Sequence, residues 1–224
     1  VTAKGDDPDL AGGVAIGQAN SGVAVVDANA VFGADGPAAG GGIAYALSIT
    51  NVSSGLTLTD GSAINLQMVG GVIVGVVASG AFVGQAAFAI AINPTTGVVT
   101  VEQYLSLDHP VNPNPNDPLG LGDNTIAVTV TATDGDGDLV NSGAFDISDQ
   151  VTFLDDGLSI SPELNAQATV TVDESLPSND PGINTGGIAK GNDPDLGGGI
   201  ALGQGNSGVA VVNANAVFGA DGPA

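Results

Sequence analysis

The chain lacks the residues from which disulfides, thiolate metal sites and cationic surfaces are built. Its 224 residues include no cysteine and no tryptophan, one histidine and two lysines, against 24 acidic residues. Without cysteine there is neither a disulfide framework nor a cysteine-ligated zinc site. The net charge of −22 makes nucleic acid and anionic membranes poor partners. It also opposes compaction unless cations bind or salt screens the charge, so calcium is the expected stabiliser.

Long apolar runs are also absent. No stretch of about 18 or more apolar residues occurs, so we expect no membrane span. The first residues show no charged region followed by an apolar core, so we expect any secretion signal to lie outside this sequence. The chain is nevertheless 43% hydrophobic, with a mean hydropathy of +0.31, and it can therefore bury a core.

The sequence contains a long internal repeat. Residues 3–38 and 189–224 are identical at 30 of 36 positions, with a constant offset of 186 residues. A period of this length corresponds to one β-domain per repeat rather than to one turn of a solenoid. We expect a tandem array with a sandwich repeat at residues 1–157 that lacks its first strand, a linker at 158–167 and the start of the next repeat at 168–224.

Short alternating segments predict strands, and no helical stripe is present. Residues 43–50 and 125–133 alternate between apolar and small or polar side chains, the period of a half-buried strand. The Gly70-Gly71 pair predicts a tight hairpin, whereas the opening residues up to 42 predict mostly loop, with strand-like runs at 23–27 and 30–32. The predicted fold class is all-β, an antiparallel β-sandwich.

Acidic residues follow three of the predicted strands. Glycines separate Asp134, Asp136 and Asp138, which places hard oxygen ligands on a flexible chain, as Ca²⁺ requires. Antiparallel strand ends can meet at one pole of a sandwich, so we expect a shared calcium site. The residue pattern predicts six ligands: Asp108, Asp134, Asp136, Asp138, Asp155 and Asp156. A solvated Asp-Gly turn at 134–138 and an ordinary acidic linker at 155–156 are the alternatives.

Other polar residues give weaker signals. Asp6, Asp7 and Asp9 form either a second cation loop or a solvated acidic turn. His109, next to Pro110, is expected to be an exposed loop residue rather than a zinc ligand or a triad base. Neither a carboxylate pair for glycoside cleavage nor a phosphate-binding glycine loop is singled out. We therefore expect no catalytic residues and no enzymatic activity.

The order of these motifs resembles the cadherin-type repeat. The segments are TGVVTV (96–101), LSLDHP (105–110), VTATDGDGD (130–138) and VTFLDDG (151–157). The resemblance implies an Ig-like sandwich that binds Ca²⁺ between consecutive domains. In it Asp108, Asp134 with Asp136, and Asp155 with Asp156 take the ligand positions. Glu174, with its neighbour Asp173, takes the acidic position early in the next domain.

The sequence departs from the cadherin pattern at two places. The Asp-x-Asn-Asp-Asn linker motif is reduced to Asp155-Asp156-Gly157, and Pro110 replaces the glutamate expected two residues after Asp108.

Over the whole period the chain resembles the long repeats of giant type I-secreted, RTX-type bacterial adhesins. The motifs, in order, are VDES, FGADG, YALSITN, SGL, AFAIAINPTTGVVTVEQYLSLDHP, TATDGDGD and FLDDG. The resemblance implies a Ca²⁺-rigidified extender domain of a secreted, cell-surface adhesin. Its expected partners are neighbouring repeats of the same chain, other copies in a fibre, and a surface or glycan.

Two other functions remain open. A carbohydrate- or surface-binding sandwich is one, although the absence of tryptophan weakens the case for sugar stacking. A self-associating filament or surface layer is the other, in which apolar strands of residues 168–224 complete a neighbour's sheet.

Overall fold

The computed structural model describes residues 10–11, 14–111, 114, 116–171 and 206–219. These residues form strands and turns with a 3₁₀ turn at Ser148–Gln150. None of the described segments is a helix with the length and apolarity needed to cross a membrane. The chain divides into a larger unit, Val1–Gly157 with Phe218–Ala224, and a smaller unit, Leu158–Val217.

The described part of the larger unit contains twelve strands, all paired antiparallel. They are β1 (Gly17–Ala24), β2 (Ile43–Ile49), β3 (Ser53–Thr57), β4 (Ala63–Val69), β5 (Val72–Val77), β6 (Ala86–Ile92), β7 (Val98–Gln103), β8 (Pro118–Gly120), β9 (Ile126–Thr133), β10 (Leu139–Asn141), β11 (Phe145–Asp146) and β12 (Thr152–Leu154).

The first sheet has six strands in the order β1-β7-β6-β5-β4-β3. Strands β3 to β7 form a meander of consecutive hairpins, in which each strand pairs with the next along the chain. The predicted hairpin at Gly70-Gly71 is confirmed, since Val69 pairs with Val72. Both glycines have positive φ angles, which the two-residue turn of a twisted hairpin requires.

The second sheet is built around β9. Strand β2 pairs with β9 along its whole length, from Ile43 opposite Ala132 to Ile49 opposite Ile126. Strands β10 and β11 pair with the other edge of β9, and β12 pairs with β8 separately. Strand β9 is the central strand of this sheet. The residues that follow it, 134–138, are therefore flanked by loops that join the neighbouring strands.

The apolar faces of the two sheets form one core. Phe88 on β6 is fully buried, and its ring lies 5.1 Å, centroid to centroid, from that of Phe153 on β12. Ile90 of the first sheet and Val128 of the second belong to the same buried cluster. The predicted all-β antiparallel sandwich is confirmed.

Strand β1 differs from its prediction. The sequence predicted a strand-like run at 23–27, whereas β1 spans Gly17–Ala24 and pairs with β7. Most side chains of β1 are small or polar and exposed, so no apolar alternation marks it. Backbone pairing with the edge of β7 holds this strand, and such pairing leaves little trace in side-chain pattern.

The smaller unit contains four two-residue strands. They are β13 (Ser159–Ile160), β14 (Glu163–Leu164), β15 (Val212–Asn213) and β16 (Ala216–Val217). Strand β13 pairs with β16, and β14 pairs with β15. The segment predicted as a linker thus contains two strands, both paired with the second copy of the repeated sequence.

Candidate metal centre

Three carboxylates converge where β9 ends. Asp35, Asp134 and Asp136 each place one carboxylate oxygen within 4.8 Å of the other two. Asp134 directly follows β9 and is half-buried, whereas Asp35 and Asp136 are exposed. Two distant segments of the chain therefore bring their negative charges to one point.

A tight turn fixes Asp134. Its backbone N–H donates to the carbonyl of Asp138 over 3.0 Å, and its Oδ1 accepts the N–H groups of Asp138 (2.8 Å) and Gly137 (3.2 Å). Gly137 has a φ of 100°, a value that a residue with a side chain rarely adopts. The glycine spacing of this acidic run is thus what allows the chain to close around the Asp134 carboxylate.

A second loop carries Asp35 to the same place. The backbone N–H of Ala38 donates to the carbonyl of Thr133 over 2.9 Å, and that of Gly135 donates to the carbonyl of Gly36 over 2.9 Å. A Cβ atom at position 135 would lie 2.4 Å from the carbonyl oxygen of Asp35. Only glycine at position 135 lets the two loops approach this closely.

The side chains of Asp134 and Asp136 interact directly, and this interaction lowers the pKa of Asp134. A side-chain hydrogen bond with Asp136 is the largest cause that holds the pKa of Asp134 below its usual 3.8. Desolvation opposes this shift, and the backbone N–H groups of residues 136–138 reinforce it. Two carboxyl groups can hydrogen-bond to each other only through a proton, and a divalent cation can take the place of that proton.

The arrangement suits a hard cation. Calcium takes six to eight oxygen ligands, mostly carboxylates, carbonyls and water. The three aspartates offer up to six carboxylate oxygens, with waters free to complete the shell because the cluster is exposed. The hydrogen bonds within residues 134–138 account for that turn alone, but they do not account for Asp35, which comes from a separate loop.

The structure separates the other nominated ligands from this cluster. Asp138 closes the turn through its backbone, and the N–H of Asp108 donates to the carbonyl of Thr57 over 2.9 Å. Asp155 and Asp156 line a different cleft, with a volume of about 400 Å³, together with His109. Among the described residues, only Asp134 and Asp136 of the nominated set join a group of three possible ligands. Asp173 and Glu174, like Asp6, Asp7 and Asp9, lie outside the described residues.

The prediction that His109 is exposed is wrong. Its side chain is only 8% exposed, and its Nδ1 has no hydrogen-bond partner among the described residues. The chain turns inward just before it, because Leu107 is buried and forms an isolated bridge with Leu58, which directly follows β3. The neighbouring Pro110 is visible in the sequence, whereas this long-range bridge leaves no local pattern.

Three other acidic residues were missed by the sequence reasoning. Asp35 belongs to an Asp-Gly pair of the same kind as Asp134-Gly135 and Asp136-Gly137, and this shared pattern is the signal that could have found it. Asp117 is buried, and its Oδ2 accepts the N–H of Val111 over 3.0 Å. Glu102 is 1% exposed and accepts hydrogen bonds from the N–H of Leu10 and the hydroxyl of Tyr104. No local pattern distinguishes Asp117 or Glu102 from exposed acids.

Comparison with known proteins identifies a family but no activity. The family described as "Domain of unknown function (DUF5801)" matches residues 6–148, and the chain belongs to this family. No curated protein and no solved structure matches the chain.

Proposed function

We propose that the chain is a calcium-stabilised structural extender repeat of a secreted, cell-surface bacterial adhesin or fibre. The observation that carries this proposal is the convergence of Asp35 with Asp134 and Asp136. The 186-residue repeat supports the extender role, because a tandem array of sandwiches is a way to build length rather than a catalytic centre.

Electrostatic repulsion gives calcium its role at this cluster. Like charges about 5 Å apart repel by about 1 kcal/mol per pair in a water-like dielectric, and by more where solvent is partly excluded. Without a cation this repulsion opposes the approach of the 33–38 loop to the end of β9. With Ca²⁺ bound, the same three charges attract one ion and hold the two segments together.

Extracellular calcium is sufficient to act on such a site. Weak extracellular modules bind Ca²⁺ with dissociation constants of about 10⁻⁴ to 10⁻³ M. At millimolar calcium, about one to ten times these dissociation constants, binding stabilises the folded state by about 0.4–1.4 kcal/mol. The chain would therefore be stiffer outside a cell than in a calcium-poor interior, which suits a protein that is folded after export.

A calorimetric calcium titration of the full chain tests the site. We expect Asp35→Asn to weaken the tightest binding step by at least about tenfold, because one of three anionic ligands is removed. The control is Asp27→Asn, which makes the same change in charge and reproduces the asparagine present at position 213. A wild-type melting temperature that a chelator leaves unchanged, or equal affinities in the two variants, would refute the calcium site.

A glycan-array screen separates the extender role from carbohydrate binding. An extender repeat gives no reproducible hit with or without calcium, whereas a lectin-like module gives one. A reproducible hit would therefore replace the extender role with the carbohydrate-binding alternative.

A further inference from the structure

One twelve-residue sequence occurs in both units of the chain. Residues 20–31 and 206–217 differ only at Asp27, which corresponds to Asn213. The two copies share the same backbone geometry at two turn positions. Asn29 and Asn215 have φ angles of 45° and 46°. The N–H of each preceding glycine, Gly22 or Gly208, donates to an asparagine side chain over 3.0 Å.

In the smaller unit this sequence has a partner. Residues 159–164 run antiparallel to residues 212–217, with Ile160 opposite Ala216 and Leu164 opposite Val212. The pairing is interrupted in the middle, where the side chain of Asn215 donates to the carbonyl of Ser161 over 3.2 Å. Asn215, which has a positive φ angle, therefore lies opposite the break between β13 and β14.

In the larger unit the same sequence has no such partner among the described residues. Residues 26–31 belong to no strand, and no backbone N–H of 26–31 donates a hydrogen bond to another described residue. Val31 is 96% exposed, whereas its counterpart Val217 is paired with Ser159.

A groove of about 300 Å³ runs beside this unpaired segment. Ala30, Val31, Phe32, Val130 and Val140 supply its apolar lining, and Asp134, Asp138 and Ser142 also line it. An unpaired extended segment beside a partly apolar groove offers the backbone groups and the side-chain pockets that a strand donated by another chain uses.

We propose that residues 26–31 are an acceptor edge for residues 158–164 of another copy of this repeat. The register transfers directly from the smaller unit, so that Ser159 lies opposite Val31, Ile160 opposite Ala30 and Leu164 opposite Val26. Each repeat of the array is thereby completed by the segment that the sequence assigns to a linker. The joint between repeats is a strand pairing.

One position makes the two copies unequal. Glu163 lies opposite Asn213 in the smaller unit, but in the transferred register it faces Asp27. Like charges directly opposite each other on neighbouring strands are destabilising. The acceptor edge of the larger unit is therefore the weaker of the two, and removal of the Asp27 charge strengthens it.

A labelled peptide of residues 157–165 tests the proposal by fluorescence polarisation with the full chain. The acceptor in the smaller unit is occupied by its own segment, so the peptide should bind saturably at residues 26–31. A scrambled peptide should not bind. Asp27→Asn should tighten binding about two- to fivefold, because one repulsive cross-strand pair disappears.

A matched pair of variants locates the peptide. Val31→Asp should weaken binding about fivefold, because aspartate is unfavourable in a strand. Val23→Asp makes the same change at a position that is 71% exposed and outside the register, and it should leave the affinity unchanged. Both valines are exposed, so both variants should fold. Absence of saturable binding, equal effects of the two variants, or no gain from Asp27→Asn would overturn the proposal.

Discussion

The interior around Phe88 and the acidic cluster at the end of β9 belong to the same sandwich but are held by opposite kinds of interaction. Phe88 is fully buried among apolar side chains from both sheets, where non-directional burial of apolar area supplies the stability. The cluster of Asp35, Asp134 and Asp136 is largely exposed and is positioned by directional hydrogen bonds against its own repulsion. The sandwich should therefore fold without an ion, whereas the cluster should depend on one.

Truncation of the central aromatic residue should have the largest effect. We expect Phe88→Ala to lower the free energy of unfolding by about 3–5 kcal/mol, since it removes a fully buried ring and leaves a cavity. The loss should be the same in calcium and in chelator, as measured by urea denaturation. A loss that appears only in chelator would show that the interior and the cluster are not independent.

Overfilling the same site should have an intermediate effect. A Cβ atom at Gly75 would lie 2.5 Å from the Phe88 ring, so Gly75→Ala forces the ring to shift. We expect a loss of about 1–3 kcal/mol, typical of overpacking in a close-packed core.

The matched control for this substitution is Gly120→Ala. A Cβ atom there would meet only a carbonyl oxygen at 3.7 Å. Its melting temperature should stay close to that of the wild type. If the two alanine variants melt at the same temperature, the contact between Gly75 and Phe88 does not limit the packing.

The sequence predicted the interior better than the acidic end, for a physical reason. Strands β2 and β9 alternate larger apolar side chains with small or polar ones because one face of each packs on the core, and this period is visible locally. The site depends on the meeting of Asp35 with Asp134, almost one hundred residues apart, and this meeting is decided by backbone hydrogen bonds from Ala38 and Gly135. Main-chain pairing of this kind has no side-chain signature, so the Asp-Gly pair at Asp35 could mark a possible ligand but not its position beside Asp134.

The smallest expected effect is the response of Asp134 to acid in the absence of calcium. Because the pKa of Asp134 is held below 3.8 by Asp136 and by backbone N–H groups, its contribution to stability is present above pH 3.8 and is lost as the pH falls through the lower, folded value. Relief of repulsion among the 24 acidic residues acts on the wild type and on variants alike, so the useful quantity is their difference. We expect the gap in unfolding free energy between wild type and Asp134→Asn to close as the pH falls from above 3.8 through the lower pKa of the folded state. Asp146→Asn should behave in the same way, because Ser148 holds the pKa of Asp146 down.

The control is Phe88→Leu, which involves no charge. The gap in unfolding free energy between wild type and Phe88→Leu should stay constant over the same pH range in urea titrations with chelator present. A gap for Asp134→Asn that is equally constant would show that the carboxylate at the end of β9 is no better stabilised in the folded chain than in the unfolded one.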